Sequence, residues 1–317
     1  LVGRPLVATS GNRSDEPMQH QPADAHTALA SIADLFLDHD RRIVHPVDDS
    51  IVRVIGEGPV VLRRARGYVP ATLPLPLPCA QPVLAAGGHL KAAIAIAAGR
   101  TLQLGPHIGN LDSPRSRSAL QSQIDHLPSY LGIATPRVWA ADAHPDSFSS
   151  GLRTPDGRPP HPVSHHRAHA LAGIVDRALV PPLVAVTWDG LGAGPDGTLW
   201  GGEFLRFDTL HNPQRIAHLR PFPLPGGDAA AREPRRSALG LLYALHGPSL
   251  FAPQGAPPPL RRLFSDAEWA TLRVALTQRV NTPTCSSVGR LLDAVAALCG
   301  LCHFPDRPQP HRLTYEG

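Results

Sequence analysis

Apolar residues recur along this chain in two rhythms, one helical and one strand-like, and their alternation predicts an α/β protein. Behind Asp24, the residues Leu29, Ile32, Ala33 and Phe36 follow at helical steps. This spacing predicts a helix capped by Asp24, with one face in the core, that ends at the polar His39-Asp40-Arg41-Arg42 cluster. The rhythm then shortens. Ile51 to Ile55 and Val60 to Arg63 predict paired strands joined by Gly56-Glu57-Gly58. Val83 to Gly88 and Ala93 to Ala98 predict two further short strands that bracket a tight turn at Lys91. Leu183 to Trp188 has the continuous apolar pattern of a buried strand, and Asp196-Gly197 predicts a turn into a partner strand at Leu199 to Phe207. Ala170 to Leu179 is helix-like, as is the stretch in which Leu291, Leu292, Val295 and Leu298 form an apolar face.

Between the first two strand pairs the composition shifts. Pro70, Pro74, Pro76, Pro78 and Pro82 predict an extended, polyproline-like linker, and hence a boundary between domains at residues 1–78 and 79–317. A length of 317 residues agrees with more than one domain. Hydrophobic residues at 42% and charged residues at 18% describe an ordinary globular chain. The net charge of +4 comes without a Lys/Arg stripe interleaved with aromatics, so no nucleic acid is expected as partner. The most apolar stretch, Ala92 to Ala98, is too short for a bilayer, so no membrane is expected either. Unevenly placed cysteines and the lack of a secretion signal favour a reducing, cytoplasmic location. The start at Leu1, running directly into strand-like Leu6-Val7-Ala8, gives the expectation of a piece of a longer protein.

Candidate chemistry gathers in short strings. In Ser164-His165-His166-Arg167-Ala168-His169 the outer imidazoles are one helical turn apart. His165 and His169 therefore leave one face of a helix and can grip a divalent ion, although a plain capped helix start has the same spacing. Asp189 follows an apolar strand and precedes Gly190-Leu191-Gly192-Ala193-Gly194. A carboxylate there suits a metal or a metal-bound phosphate, while a simple Asp-Gly turn is the plainer alternative. Gly226-Gly227-Asp228 precedes an Ala-rich helical stretch running toward Leu245, which suits an anion or a simple N-cap, and the same holds for Ser286-Ser287-Val288-Gly289. Lys91, at its turn, can reach a phosphate and is the candidate catalytic residue. Cys299-Gly300-Leu301-Cys302-His303 matches a haem-attachment string but reads better as a helix end with Gly300 as cap.

Taken in order, several strings resemble the HypF family of hydrogenase-maturation carbamoyltransferases over essentially the whole chain. They are Ala8-Thr9-Ser10-Gly11-Asn12 with Glu16-Pro17, Asp48 to Arg53, Leu62-Arg63-Arg64-Ala65-Arg66-Gly67-Tyr68-Val69-Pro70, Leu84 to Lys91, His107-Ile108-Gly109, the HHRAH box, Trp188-Asp189-Gly190, Asp196 to Glu203, Leu224 to Asp228, Ser286 to Asp293 and Tyr315-Glu316-Gly317. The resemblance implies the end of a YrdC-like twisted sheet, followed by an incomplete actin-like (ribonuclease H-like) ATPase-fold carbamoyltransferase domain. It implies an enzyme that makes carbamoyl-AMP from carbamoyl phosphate and ATP and passes the carbamoyl group to the C-terminal cysteine of a HypE-type acceptor. Carried over by position, Ser10, Asn12, Arg64, Gly226, Gly227, Asp228, Ser287 and Gly289 hold ATP. His165, His169 and Asp189 hold a divalent metal (Zn, Fe or Mg). The chain departs from the family at Ala92 and Ala93, where Lys-Asn-Thr is usual, and at Asn110 in place of Asp. Two rival readings are a small-molecule O-carbamoyltransferase and a catalytically dead nucleotide-binding remnant; in the former group the YrdC-like part usually follows the actin-like part, whereas here it comes first.

Overall fold

The computed structural model describes residues 3–13 and 16–301. Its chain divides into two compact units, Leu1–Val163 and Ser164–Gly317.

The first unit opens with α1 (Pro22–Leu29), started by a proline at its first turn rather than capped by Asp24, which lies inside that turn. The helix stops well short of the expected end. Only Ala28 is buried, while Ile32, Leu35 and Leu37 are exposed. Apolar spacing without a surface to cover does not sustain a helix this short. The strands β1 (Ile51–Ile55) and β2 (Gly58–Arg63) form the expected antiparallel hairpin.

The proline-rich run is not a linker. It forms β3 (Ala71–Ala85), paired antiparallel with β4 (Ala95–Leu104) along its length, with register shifts between Pro74 and Cys79 and again before Val83. The reason is a period-two pattern hidden by the prolines. Leu73 and Leu75 lie on the half-buried face, and Thr72, Pro74 and Pro76 on the exposed one. Over this stretch β3 pairs on one side only, since β5 (Val138–Asp142) joins it in parallel just at Val83–Ala85; an edge with bulges tolerates residues that lack an N–H. The sheet runs β4-β3-β5-β6, where β6 (His161–Val163) is again parallel to β5. Helix α2 (Pro114–Tyr130), capped by the Ser113 hydroxyl, supplies Leu120, Ile124 and Leu127 to a core shared with Leu84, Ile94, Ile96 and Trp139.

The second unit starts with α3 (His165–Asp176) and a meander of β7 (Leu183–Ala193), β8 (Leu199–Phe207) and β9 (Gln214–His218). The predicted hairpin at Asp196-Gly197 is present, but β7 is not buried throughout: Val184, Val186 and Trp188 are exposed while Thr187 and Gly190 face inward. Nor does it end at Trp188, because the strand continues through the glycine-rich run to Ala193. Next come β10 (Phe222–Pro223), α4 (Asp228–Arg232) and α5 (Pro234–His246). The Ala-rich stretch thus forms two helices, not one. It breaks at Glu233, whose backbone is extended ahead of Pro234, as a residue before proline prefers. The remaining elements are α6 (Pro258–Arg261), α7 (Asp266–Gln278), β11 (Thr284–Cys285) and α8 (Val288–Leu298). Ala294 and Ala297 of α8 are buried with Leu239, Leu272 and Leu276, whereas Leu292 and Val295 are exposed. The buried face of α8 is therefore the small-residue face, which lets the helix approach its neighbours closely. Gly300 adopts φ 76° just past the helix end, as expected of a terminating glycine, while Cys302, His303 and Tyr315 to Gly317 lie outside the described residues. Among the described residues no helix is long and apolar enough to cross a membrane.

Candidate functional site

The second unit carries a tight cluster of possible metal ligands. Ser164 occupies the N-cap position of α3 with extended backbone, but its side chain makes no cap hydrogen bond. The helix begins at His165, so His165 and His169 project from one face, with their Nε2 atoms 3.2 Å apart. Asp189 reaches them because β7 bulges. The ladder pairs Trp188 with Gly202 and resumes at Gly192 with Trp200, leaving Asp189-Gly190-Leu191 out of register. Asp189 Oδ1 accepts a hydrogen bond from the Gly190 N–H (2.6 Å). Its Oδ2 lies 3.1 Å from His165 Nε2 and 3.8 Å from His169 Nε2, and is buried with no hydrogen-bond partner. The three ligand atoms fall within 4.8 Å of one another. A Cβ at Gly192 would stand 2.6 Å from His166 Cε1 and 2.8 Å from His165 Cδ2, so only glycine admits these rings against β7.

The electrostatics keep this cluster ready for a cation. Burial opposes charge on Asp189, but the His165 and then the His169 imidazole outweigh it and hold the carboxyl below its usual range. Burial pushes His166 down to about 4, so it is neutral near pH 7. An orphaned carboxylate oxygen facing two imidazole nitrogens at these separations fits a divalent ion.

Two of the predicted nucleotide residues turn out to brace this cluster. Ser287, the N-cap of α8, accepts a hydrogen bond from the Arg290 N–H (3.2 Å), and its hydroxyl is directed at the carbonyls of Asp189 (2.9 Å) and Gly190. A Cβ on Gly289 would lie 2.8 Å from Gly190 Cα, so its absence lets α8 rest on the bulge. Beneath them, fully buried Glu203 accepts hydrogen bonds from the Gly201 and Gly202 amides (3.2 Å each), from the Ser286 hydroxyl and from Arg215 Nε. Burial opposes its charge, but the Ser286 and Arg215 hydrogen bonds prevail and keep it ionised. Arg215 also lies 4.2 Å above the Trp200 ring and reaches Asp196 at 3.0 Å. Sequence reasoning singled out neither Glu203, Arg215 nor His166 as a site residue. The string Gly201-Gly202-Glu203 held a signal, a charged residue in the middle of a largely apolar strand whose other charge, Arg206, is exposed.

The Gly226-Gly227-Asp228 turn lies at the start of α4, with φ of 93° and 55° at its glycines. Its amides are already engaged: Gly226 donates to the Asn281 carbonyl (2.8 Å) and Gly227 to that of Leu224 (3.1 Å).

In the first unit, Ser10, Asn12 and Lys91 line one cavity of about 1020 Å³, together with Arg63, Arg66, His107 and Arg115. Arg64 is not among its lining residues. Lys91 adopts φ 50°, and its N–H donates to Asn110 Oδ1 (3.0 Å), a contact that an amide oxygen makes as well as a carboxylate would. The neighbouring departure, Ala92, is buried in the core, where a small apolar residue packs without a polar group to satisfy. Burial, and then the charge of Arg63, lower the pKa of His107.

Three family models match the chain in order. They are Sua5/YciO/YrdC, described as telomere recombination, over residues 1–65; the HypF Kae1-like domain over residues 78–176; and the second subdomain of the carbamoyltransferase Kae1-like domain over residues 185–308. The chain is 41% identical over 99% of its length to carbamoyltransferase HypF of Synechocystis. It belongs to the HypF family. Carbamoyltransferase HypF of Rhizobium leguminosarum is likewise 41% identical over 98% of the chain. The chain spans only 41% and 40% of these two relatives. A crystal structure titled full-length HypF in the phosphate- and nucleotide-bound form matches with a TM-score of 0.84 at 32% identity, covering 93% of this chain and 45% of that one. T. kodakarensis HypF matches with a TM-score of 0.79 at 27% identity, over 96% of this chain and 41% of that one. The family's fold, an α/β remnant of a YrdC-like domain followed by Kae1-like carbamoyltransferase sequence, is thus the fold of this chain.

Proposed function

We propose that this chain supplies part of a carbamoyltransferase acting in nickel-iron hydrogenase maturation, with residues 1–78 as the end of the YrdC-like domain and residues 79–317 as transferase-domain sequence that reaches into the second Kae1-like subdomain. Carbamoyl phosphate and ATP give carbamoyl-AMP with release of pyrophosphate, and the carbamoyl group passes to the C-terminal cysteine thiolate of a HypE-type acceptor in the cytoplasm. The observation that carries this reading is the convergence of His165, His169 and Asp189.

Two imidazoles and one carboxylate favour Zn²⁺ or Fe²⁺ over Mg²⁺, which prefers an all-oxygen shell. A divalent ion held by His165, His169 and Asp189 would supply a Lewis acid for phosphate or carbonyl oxygens. The protein's own groups do the rest. Lys91, Arg63 and Arg66 bring positive charge to a cavity large enough for a nucleotide, and Ser10 and Asn12 add hydrogen-bonding groups beside it. The relative whose crystal structure is titled as phosphate- and nucleotide-bound supports ATP as the ligand. A mixed anhydride such as carbamoyl-AMP hydrolyses readily, so this reading requires a site that keeps water from it. In the second unit, Ser287, Gly289, Gly226, Gly227 and Asp228 serve a nucleotide site of that unit through its shape, since the Ser287 hydroxyl and the two glycine amides have protein partners already.

Elemental analysis of the purified chain tests the reading: about one equivalent of a divalent transition metal is expected in the wild type and none in His165→Ala. Equal metal content in the two proteins, or none in either, sinks it. Pyrophosphate release that depends on carbamoyl phosphate then separates a transferase from a protein that only binds nucleotide.

A further inference from the structure

The middle histidine of the HHRAH box has no place in the ligand set, yet it is the most deeply buried of the three. His166 has no exposed surface, and neither Nδ1 nor Nε2 has a hydrogen-bond partner. A polar ring buried in this way is costly, and native proteins seldom leave one without a use. Its surroundings point to that use. His166 follows His165 on α3, so the two rings diverge by about 100° around the helix and His166 turns away from the face shared by His165 and His169. It packs instead near the Trp200 ring (centroids 5.9 Å apart) and over Gly192, with Nε2 3.7 Å from Asp189 Oδ2, itself an orphaned buried atom.

We infer that His166 is a positioning residue for the metal site: its Nε2–H donates to Asp189 Oδ2 and holds that carboxylate toward the ion. This rests on the reading of His165, His169 and Asp189 as ligands. An ion held by His165, His169 and Asp189 would take one lone pair of Oδ2 and leave the other for a further donor. His166 is the buried side chain that offers one, at a separation that a shift of about 0.8 Å converts into a hydrogen bond of ordinary length. Carboxylates and imidazoles that bind metals are commonly held by such outer partners, and loss of the partner weakens metal binding by about 10–100-fold. Gly192 belongs to the same device, since any side chain there would occupy the space of His166 Cε1.

The test is Zn²⁺ titration of the chain by calorimetry, alongside thermal melts of the metal-free protein. His166→Phe keeps the ring's shape and removes its nitrogens. It is expected to raise the Zn²⁺ dissociation constant about 10–100-fold while leaving the metal-free Tm unchanged or higher, because an unsatisfied buried group is gone. His166→Gln, which places an amide N–H close to where Nε2 stood, is expected to recover part of the affinity. A lower Tm with unchanged Zn²⁺ affinity in His166→Phe would mean a packing role and overturn the inference. Nitrogen NMR of the wild-type histidines gives a readout that needs no variant: on adding Zn²⁺, His166 is expected to keep a slowly exchanging Nε2–H and show no metal-bound nitrogen. A metal-bound His166 nitrogen, or a fast-exchanging proton, refutes it. If His165→Ala abolishes binding while His166→Phe binds as wild type, the positioning role alone fails; if both bind normally, the ligand assignment fails with it.

Discussion

The His165–His169–Asp189 cluster and the basic cavity of the first unit handle charge in opposite ways. In the cluster, three ligand atoms from a helix and a bulged strand come within 4.8 Å, packed so closely that Gly192 and Gly289 have no room for a Cβ. In the cavity, Lys91, Arg63, Arg66 and Arg115 are spread around about 1020 Å³. A metal ion needs donors placed to within a few tenths of an ångström, so its site is built from rigid elements and close contacts. A phosphorylated ligand needs charge over a larger area and tolerates residues on loops and strand ends. Single substitutions should accordingly be severe and local in the cluster, and graded in the cavity.

The largest effect is expected from Asp189→Ala, which should lower metal affinity about 100-fold or more by calorimetry, beyond the range for outer partners; a smaller loss would blur the contrast. Gly192→Ala comes next. Its Cβ forces the imidazoles off β7, with an expected stability loss of about 1–3 kcal/mol in denaturant melts and weakened Zn²⁺ binding as well. Ser287→Ala removes a helix cap and the hydroxyl contact to the Asp189 carbonyl, so about 1 kcal/mol of stability and a several-fold change in metal affinity are expected. In the cavity, Lys91→Ala should weaken nucleotide binding only a few-fold, with the deficit shrinking as salt is raised, and leave Zn²⁺ binding untouched. The smallest effect belongs to neither region. Glu268 is lowered to about 2, chiefly by its hydrogen bond from Arg235, so its contribution to stability is present above about 4.5 and lost as pH falls toward 2. Glu268→Gln should flatten that part of an acid-unfolding curve without altering either ligand titration.

Much of the local structure could be read from residue order, because it depends on neighbours in the chain. The hairpins β1-β2 and β7-β8 follow from alternation and turn glycines, and the Ser287 cap follows from a serine ahead of an apolar helix. The HHRAH spacing determined that two imidazoles share a helix face. Other features were hidden. The leucines of β3 alternate correctly, but the prolines between them masked the strand, and an open edge with bulges made room for them. Helix α1 has the periodicity for four turns and forms about two, because no surface lies under Ile32 and Leu35.

Residue order was thus enough for most types of element, β3 excepted, and for the family, through strings held in order. Only tertiary packing decided that β7 bulges at Asp189, that Ser287 and Gly289 grip the bulge from α8, and that His166 is sealed beside an orphaned carboxylate oxygen. The reason is range. A turn or a cap is governed by residues a few places apart, whereas the direction in which a carboxylate points is fixed by close contacts between elements far apart in the chain, and those exist only once the core has formed.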